Sequence, residues 1–455
     1  MKGISTDWLG FDRVFYNTKN NRVSNNIRDV IDYNNVEFDA EGLNNYLDFG
    51  YSVFGLTPIK NVFYLRANET LNFDTGGNVF VKKNCDPCLD WLSLVTPEEE
   101  AWASLNGSIR DWANNNNGSK VLIPLSGGLD SRLLNYFYPY KENIISCTYG
   151  ISKKQKESFE AVYAKEVATR LGINWKQIEL GNFHSFMNEW DDLYGPLTHA
   201  HGMYQWEFFS LIYRQFGAMP MLSGIVGDAW AGGTVTSAPK CPDDLVGLGY
   251  PHKMTAESKY CLLKTEHYRR SSEFDEEVSL LQDERYRALY LVRTKMVLLT
   301  YLFAVPRAIG FTPFSPFLSQ EVALRMLTVE PLKWRNRIWQ YDFLAKQDLR
   351  LESDLQRGNR TNDLNYMAMS NVPLSPLNVE LLRELFDIRY LEWINNNIDA
   401  LRFSTSMLHA IMGIRFIGGA LRRFGVSETI MKAYFAYLVL KPIEQVLLKR
   451  NEALQ

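Results

Sequence analysis

Cysteine is scarce in this sequence, with five residues in a chain of 455. An odd number of cysteines in a long chain argues against a disulfide framework and favours a reducing compartment. Cys85 and Cys88 form a lone C-x-x-C pair. A structural zinc site of this kind needs a second pair of ligands, so we expect these two side chains to serve packing.

The sequence also has no large excess of one charge and no long apolar run. Lys and Arg total 49 against 52 for Asp and Glu, which excludes the global basic field typical of nucleic-acid binding. No apolar run reaches the ~20 residues of a membrane-spanning helix. The opening MKGISTDWLGFDRVF lacks the apolar core of a signal peptide. We therefore expect a cytoplasmic protein without a nucleic-acid partner.

What is present divides the chain into three parts. Residues 1–95 contain short β-type runs between turn signals, which predict a small β-containing unit. TPEEE at 96–100 is a helix start with acids in its first turn, and it sets a domain boundary. A second domain is expected over 96–400, followed by a helical, apolar and locally basic extension at 401–455.

Strand and helix patterns alternate over the first half of the second domain. Strands are expected at Val121–Leu125, at 144–150 and in MPMLSGIVGD at 219–228. Helices are expected at Ser158–Leu171 and Tyr204–Phe216. This alternation predicts an α/β fold with a parallel sheet covered on both faces. The later part of the chain shows helical spacing and few strand signals, so a largely helical C-terminal half is expected.

The stretch LIPLSGGLDSRLL at 122–134 places a Ser-Gly-Gly turn between an apolar strand and a helix. Backbone N–H groups in such a loop converge at the positive end of the helix, which favours phosphate binding. Ser126 and Ser131 would hold a diphosphate, and Asp130 would hold Mg²⁺ against it. No lysine follows the glycines, which excludes the Walker-type loop. A plain Gly-Gly turn at a strand end is the alternative.

The motif SGGLDS resembles the signature loop of the ATP pyrophosphatases of the asparagine synthetase and β-lactam synthetase family. MLSGIVGDAWAGG at 221–233 resembles the second glycine-rich segment of that family. Asp228 falls on its second metal aspartate, with a helix N-cap as the alternative role. The resemblance implies an adenine-nucleotide alpha-hydrolase-like domain that uses ATP, with Mg²⁺ held by Asp130 and Asp228. The ATP-binding residues that it implies are Leu125, Ser126, Gly127, Gly128, Asp130, Ser131, Thr148, Ser223 and Gly224.

Several positions depart from the family pattern. Ile225 stands where the synthetases carry a Glu or Tyr that handles the proton of the attacking nitrogen, and isoleucine is no base. Val226 replaces a glycine, and Ala229 replaces a glutamate. Arg360 stands in for a late-loop lysine and is expected to be catalytic together with Asp130, with a solvated loop as the alternative. The adenylating half is therefore expected to be intact and the amine-handling half altered.

Three further residues are expected near the substrate. FEAVYAKEVATRLG at 159–172 resembles a family helix, with Glu160 in its acidic position. His199 and His201 precede a predicted helix, where they would line the substrate or serve the structure. Metal binding by the two histidines is the remaining alternative.

The N-terminal unit resembles the back half of the glutaminase domain of full-length synthetases over residues 43–73. Those enzymes begin Met-Cys, and the cysteine becomes the nucleophile, whereas this sequence begins Met1-Lys2-Gly3. We expect a truncated amidotransferase-like remnant without glutaminase activity. The nitrogen would then come as free ammonia, from a separate glutaminase, or from an amine in the substrate.

The resemblance implies a carbon–nitrogen ligase that adenylates a small-molecule carboxylate, releases pyrophosphate and lets ammonia or an amine displace AMP. By analogy within the family, a uronic-acid sugar of a surface glycan is one expected substrate. A peptide or β-lactam-type cyclase is one alternative, and a nucleotide-binding pseudoenzyme or partner subunit is another. The C-terminal extension is expected to pack as helices, with a weak membrane-surface or protein contact as the alternative.

Overall fold

The computed structural model of the chain describes residues 3–234, 236–249, 253–352, 358–398, 407, 411 and 429–455. The strands are β1 Ile4–Ser5, β2 Phe15–Asn17, β3 Val23–Ser24, β4 Val62–Tyr64, β5 Glu69–Phe73, β6 Val79–Lys83, β7 Val121–Leu122, β8 Ile144–Thr148, β9 Asn174–Gln177, β10 Pro220–Leu222 and β11 Thr312–Phe314. The helices of the first half are α1 Ile27–Val30, α2 Ala40–Phe49, α3 Glu98–Asn115, α4 Leu129–Phe137, α5 Phe159–Leu171, α6 Met187–Tyr194, α7 Met203–Phe216, α8 Gly227–Trp230 and α9 Asp244–Leu248. Those that follow are α10 Tyr268–Glu277, α11 Glu284–Leu299, α12 Tyr301–Ile309, α13 Gln320–Leu327, α14 Pro331–Trp334, α15 Ile338–Lys346, α16 Leu364–Asn371, α17 Val379–Leu382, α18 Ile388–Asn397 and α19 Thr429–Ala453.

Two small antiparallel sheets form the N-terminal unit. One has the strand order β1-β5-β6, and the other has the order β3-β2-β4. The turn between β5 and β6 is closed by Asp74, whose carboxylate accepts the N–H groups of Gly76 and Asn78 at 2.8 Å each. The small β-containing unit expected from the sequence is therefore present, and α3 begins three residues beyond the boundary signal at residue 95.

A five-stranded parallel sheet lies at the centre of the molecule, which confirms the predicted α/β fold. Its order is β11-β10-β7-β8-β9, and every neighbouring pair is parallel. The edge strand β11 is not anticipated by the sequence, because it has three residues and contains Pro313. A proline is tolerated there, since an edge strand can leave one N–H position unpaired.

The order of the strands creates a crevice beside β7. The chain runs from β7 to β8 and β9 on one side, and then returns to β10 on the other side. The loops that follow β7 and β10 therefore leave the same edge of the sheet from neighbouring strands. In open α/β sheets, ligands bind at such a topological switch point. This placement brings the two glycine-rich motifs together.

The helical C-terminal half includes one stretch, Glu284–Ile309, that is long and apolar enough by length and composition to cross a membrane. The stretch is not an uninterrupted apolar run, because charged residues such as Arg293 and Lys295 lie within it. Within the molecule, 67% of its most apolar window is buried. The core helix of a globular protein has the same composition, and we assign α11 and α12 to the core.

The helix α19 is the described part of the predicted C-terminal extension, and it packs against the rest of the molecule. Tyr46 in α2 donates a hydrogen bond to the carbonyl of Val439 at 2.9 Å, and Tyr437 donates one to Ser375. These contacts tie the extension to both halves of the chain. Most of the remaining extension, 401–406, 408–410 and 412–428, lies outside the described residues.

Candidate nucleotide-binding site

The loop between β7 and α4 is shaped by its two serines. The backbone N–H of Ser126 donates to Oγ of Ser131 at 3.0 Å, and the N–H of Gly128 donates to Oγ of Ser126 at 3.1 Å. The two hydroxyl oxygens lie 3.1 Å apart. Ser126 is exposed and Ser131 is half-buried at the start of α4, and both line the cavity there. Hydroxyls and N–H groups at a helix N-terminus can hold an oligophosphate.

Two residues outside the motif support this loop. Phe159 lies against Gly127, because a Cβ atom on that glycine would stand 2.6 Å from the ring. Arg132 is fully buried beneath the loop and donates from Nη2 to the carbonyl of Gly127 at 2.6 Å. Arg132 also pairs with Glu352 at 2.7 Å. No motif in the sequence points to Arg132, which lies one turn inside α4.

The second motif forms a matching loop between β10 and α8. Oγ of Ser223 accepts the N–H of Ile225 at 3.3 Å. Val226 has a left-handed backbone with φ of 56°, a conformation that glycine adopts freely and a β-branched residue adopts under strain. Gly227 lies against Asp130, since a Cβ there would stand 2.9 Å from the carboxyl carbon. The two loops are therefore in direct contact.

The carboxylates of Asp130 and Asp228 are close enough for their charges to repel one another. Burial raises the pKa of Asp130 to about 6, the guanidinium of Arg337 opposes this, and the charge of Asp228 adds to it. Asp228 itself is exposed at the start of α8. A dication between two such carboxylates would relieve their repulsion.

The donor set fits Mg²⁺ bound together with phosphates. Within the described residues, no group of three or more His, Cys, Asp or Glu side chains is placed to hold a metal alone. Mg²⁺ is commonly held by one or two carboxylates, with phosphate oxygens and water completing its shell. Asp130 and Asp228 would supply the carboxylates, and the loop Ser126–Ser131 would hold the phosphates beside them.

A cavity of about 530 Å³ opens between the two loops. Most of the residues expected to bind ATP, metal or substrate line it, namely Leu125, Ser126, Gly128, Asp130, Ser131, Thr148, Glu160, Ser223, Gly224 and Asp228. Glu160 reaches it from the first turn of α5, and burial raises the pKa of its carboxyl. Its Oε2 is buried and has no hydrogen-bond partner among the described residues, so a donor on a ligand would satisfy it.

The two histidines lie elsewhere. Nε2 of His201 donates to Oδ1 of Asn365 at 3.1 Å, and Nδ1 of His199 accepts the backbone N–H of His201 at 3.3 Å. Burial lowers the pKa of His201 to about 4. Neither residue is among those that line the cavity. Their buried hydrogen bonds favour the structural alternative, and substrate contact by these two histidines stays a prediction.

Arg360 also lies outside the cavity lining. It is exposed, and its guanidinium rests over the ring of Phe159, 4.1 Å from the ring centre. Phe159 in turn covers Gly127, so this ring lies between Arg360 and the phosphate loop. The charge of Arg360 also opposes the rise in the pKa of Glu160, which lines the cavity. Arg357, in the same segment, lies outside the described residues. The arrangement places the expected catalytic arginine at the rim of the site.

A cation that the sequence did not suggest lies in the cavity instead. Lys295 projects from α11, is 6% exposed and lines the cavity. Burial lowers the pKa of its ammonium to about 8, and the nearby charge of Asp228 raises it. No motif surrounds Lys295 in the sequence, and it is one of four basic residues in α11, so the sequence alone did not distinguish it.

The rest of the cavity wall is largely apolar. It is built from one side of α7 and from α11 and α12, with the side chains Phe208, Phe209, Leu291, Val292, Leu299 and Leu302. Gln205 from α7 is the polar exception on that helix. Tyr149, which follows β8, contacts Phe208 with ring centres 5.2 Å apart. An aromatic or aliphatic group fits such a wall.

The fold and the site define an α/β domain with two glycine-rich loops at the switch point of a parallel sheet. Residues 117–302 match the family model described as asparagine synthase. This part of the chain, which holds both glycine-rich loops, therefore belongs to the asparagine synthase family of ATP-dependent amidating ligases. A comparison with curated proteins gives no significant match.

Proposed function

We propose that this protein is an AMP- and pyrophosphate-forming amide synthetase. The observation that carries the proposal is the meeting of Asp130 and Asp228 beside the serine-glycine loop, at the switch point of the sheet. A substrate carboxylate oxygen would attack the α-phosphorus of ATP, and pyrophosphate would leave. A nitrogen nucleophile would then attack the acyl carbon, and AMP would leave with that carboxylate oxygen.

The chain contributes position and charge to this reaction. Ser126, Ser131 and the loop N–H groups hold the β- and γ-phosphates in line. Mg²⁺, when bound by Asp130 and Asp228, supplies charge neutralisation of the pyrophosphate leaving group. Lys295 adds a fixed positive charge inside the cavity, next to Asp228. We therefore assign to Lys295 the charge-stabilising role that the sequence assigned to Arg360.

The synthetases use a Glu or Tyr side chain to handle the proton of the attacking nitrogen, and this chain needs a different proton acceptor. Ile225 is 4% exposed and carries no basic atom. An incoming amine that is already neutral loses its proton only after it attacks the acyl carbon. A phosphate oxygen of the departing AMP, or a base carried by the substrate, would accept that proton in place of a side-chain base. We propose free ammonia, ammonia from a separate glutaminase, or an amine within the substrate as the donor.

We propose that the acid has an apolar body. The side of the wall built by α7, α11 and α12 offers rings and aliphatic chains, with Gln205 and Lys295 as its polar side chains. The other polar groups that line the cavity away from the phosphate loops are Thr148, Tyr149, Glu160 and Thr234. A uronic-acid sugar would need hydrogen-bond partners for several hydroxyls, and buried hydroxyls without partners are costly. An aryl, fatty or apolar aminoacyl carboxylate matches this wall better than the uronic-acid sugar that the family analogy suggests.

A reducing compartment such as the cytoplasm is part of the proposal. All five cysteines are free, and no two of them form a disulfide. Burial raises the pKa of the Cys88 thiol to about 12, so that it stays protonated and acts as a packing residue. Cys85 is exposed beside it, and an oxidising compartment would favour reaction of such a thiol.

A nucleotide-binding pseudoenzyme is the second candidate, favoured by Ile225 and Ala229. It predicts ATP binding without pyrophosphate formation. The two candidates are separated by ATP–pyrophosphate exchange with Mg²⁺ and labelled pyrophosphate, in the presence of apolar acids, amino acids, uronic acids or short peptides. Stimulated exchange supports the synthetase and names its acid class. ATP binding with no exchange in any pool supports the pseudoenzyme, whereas ADP formation contradicts both.

A further inference from the structure

The segment from Trp334 to Trp339 is fastened to the second glycine-rich loop. The indole N–H of Trp334 donates to the carbonyl of Trp230 at 2.8 Å, and that of Trp339 donates to the carbonyl of Ala231 at 3.2 Å. Both indole rings are fully buried. The two hydrogen bonds fix the position of the start of α15 relative to the loop that carries Asp228.

The last two glycines of the motif allow this close approach. A Cβ on Gly232, whose φ is 86°, would stand 1.9 Å from the carbonyl oxygen of Trp334. A Cβ on Gly233 would stand 3.0 Å from Cδ of Arg337. Backbone and side chain of the 334–337 segment therefore occupy the space that side chains at these two positions would need.

The backbone at Arg337 has an unusual conformation. Asn336 and Arg337 are consecutive non-glycine residues in the left-handed region, with φ of 57° and 61°. Such conformations persist only where the surrounding structure enforces them, and they are enriched at functional sites. The hydrogen bonds of Trp334 and Trp339 flank this left-handed turn on both sides. With this backbone, the Arg337 side chain reaches Asp130 in the phosphate loop.

Two nitrogens of the Arg337 guanidinium, Nε and Nη2, have partners in the structure, and Nη1 is available to bind a ligand. Nε donates to Oε1 of Gln340 at 2.7 Å, and Nη2 is ion-paired with Oδ1 of Asp130. Among the described residues, none accepts a hydrogen bond from Nη1, and the side chain is 13% exposed. A planar guanidinium with unused donors suits bidentate binding of phosphate oxygens.

We propose that Arg337 binds the pyrophosphate end of the nucleotide. Without nucleotide it neutralises Asp130, and with Mg²⁺ on that carboxylate its donors turn to the β- and γ-phosphate oxygens. The inference rests on the proposed function, because it needs a nucleotide on Ser126–Ser131. It adds a binding residue from outside the two motifs. It also explains Gly232 and Gly233, because side chains there would displace the segment that carries Arg337.

The test measures binding rather than turnover, using pyrophosphate, AMP and ATP as separate probes in titration calorimetry with Mg²⁺. For Arg337→Gln we expect the dissociation constants of pyrophosphate and ATP to rise by about tenfold or more, as for loss of one charge-assisted contact. AMP affinity should change by less than about twofold. Arg337→Lys should lie between. Arg335→Gln is the matched control, since Arg335 is half exposed and pairs with Glu284.

A second variant keeps the proposal testable if Arg337→Gln folds poorly. In Mg²⁺-free buffer, Asp130→Asn should tighten pyrophosphate binding, because it frees the guanidinium from its carboxylate partner. Equal losses for AMP and pyrophosphate in Arg337→Gln and Arg337→Lys would overturn the proposal, and so would weaker Mg²⁺-free pyrophosphate binding in Asp130→Asn. Failure of the wild-type protein to bind ATP would instead overturn the proposed function.

Discussion

The buried guanidinium of Arg132 donates a hydrogen bond of 2.6 Å to the carbonyl of Gly127 and so fixes the first glycine of the phosphate loop from below. A second donor of the same group reaches the carbonyl of Leu349 at 3.1 Å, and Glu352 balances the charge. One side chain thus ties the loop to the end of the α15 region.

We predict that Arg132→Met lowers stability and nucleotide affinity together. Removing one member of a buried ion pair leaves Glu352 and two carbonyls without their donor, which costs about 3 kcal/mol. Urea unfolding and ATP titration measure the two effects. Arg110→Met is the control, because Arg110 lies on the exposed face of α3 and should change neither. An unchanged ATP affinity in Arg132→Met would contradict the supporting role.

Substitution of Lys295 should lower exchange activity more than it lowers stability. Lys295→Met removes the one cation among the described cavity-lining residues, and loss of a charge aimed at a developing anion typically costs about 100-fold or more in rate. Because the buried ammonium is partly desolvated, the unfolding free energy should not fall. Arg360→Met should cost less than about tenfold. A larger loss from Arg360→Met than from Lys295→Met would return the role to the rim arginine.

Two glycine substitutions should shift stability in opposite directions. Gly232→Ala forces a Cβ into the carbonyl of Trp334 at a positive φ, and should cost about 2 kcal/mol or more. Gly107→Ala lies within α3, where nothing stands within 4 Å of the new methyl group, and should add about 0.5–1 kcal/mol. Chemical unfolding of both variants gives the comparison, and equal effects would argue against the close approach.

Stability should decrease on acidification because of two buried histidines. Burial lowers the pKa of His184 and of His201 to about 4, against 6.5 for exposed histidine. Between these values the unfolded chain binds more protons, so stability falls as the pH falls, by about 2 kcal/mol per histidine at pH 5. His184→Gln should flatten the decline in melting temperature between pH 7 and pH 5. An identical slope in wild type and variant would refute this assignment.

The sequence predicted the parts of the site that are local in the chain. The loop from Ser126 to Ser131 and the position of Asp228 follow from motifs whose residues are neighbours, and the alternation of strands and helices placed both at one sheet edge. The adjacency of β7 and β10 then brought the two loops into contact. A motif interpreted together with its neighbouring strand and helix was therefore enough to predict that the two loops lie side by side.

The two cationic side chains near the loops that the sequence did not predict lie on elements far away along the chain. Lys295 comes from an apolar helix and Arg337 from a turn more than 200 residues beyond Asp130, and only the fold brings them to the loops. His199 shows the converse, because a histidine expected near the substrate is buried and accepts the backbone N–H of His201. Strand β11 was missed because three residues with a proline give no periodic signal.

The transfer of a labelled oxygen tests the central claim most directly. The acid that stimulates exchange would be prepared with both carboxylate oxygens as ¹⁸O and turned over with ATP, Mg²⁺ and the nitrogen donor in ordinary water. If the carboxylate attacks the α-phosphorus, the released AMP carries one heavy oxygen, as mass spectrometry would show. Unlabelled AMP, or ADP with the label in inorganic phosphate, would contradict adenylation at this site.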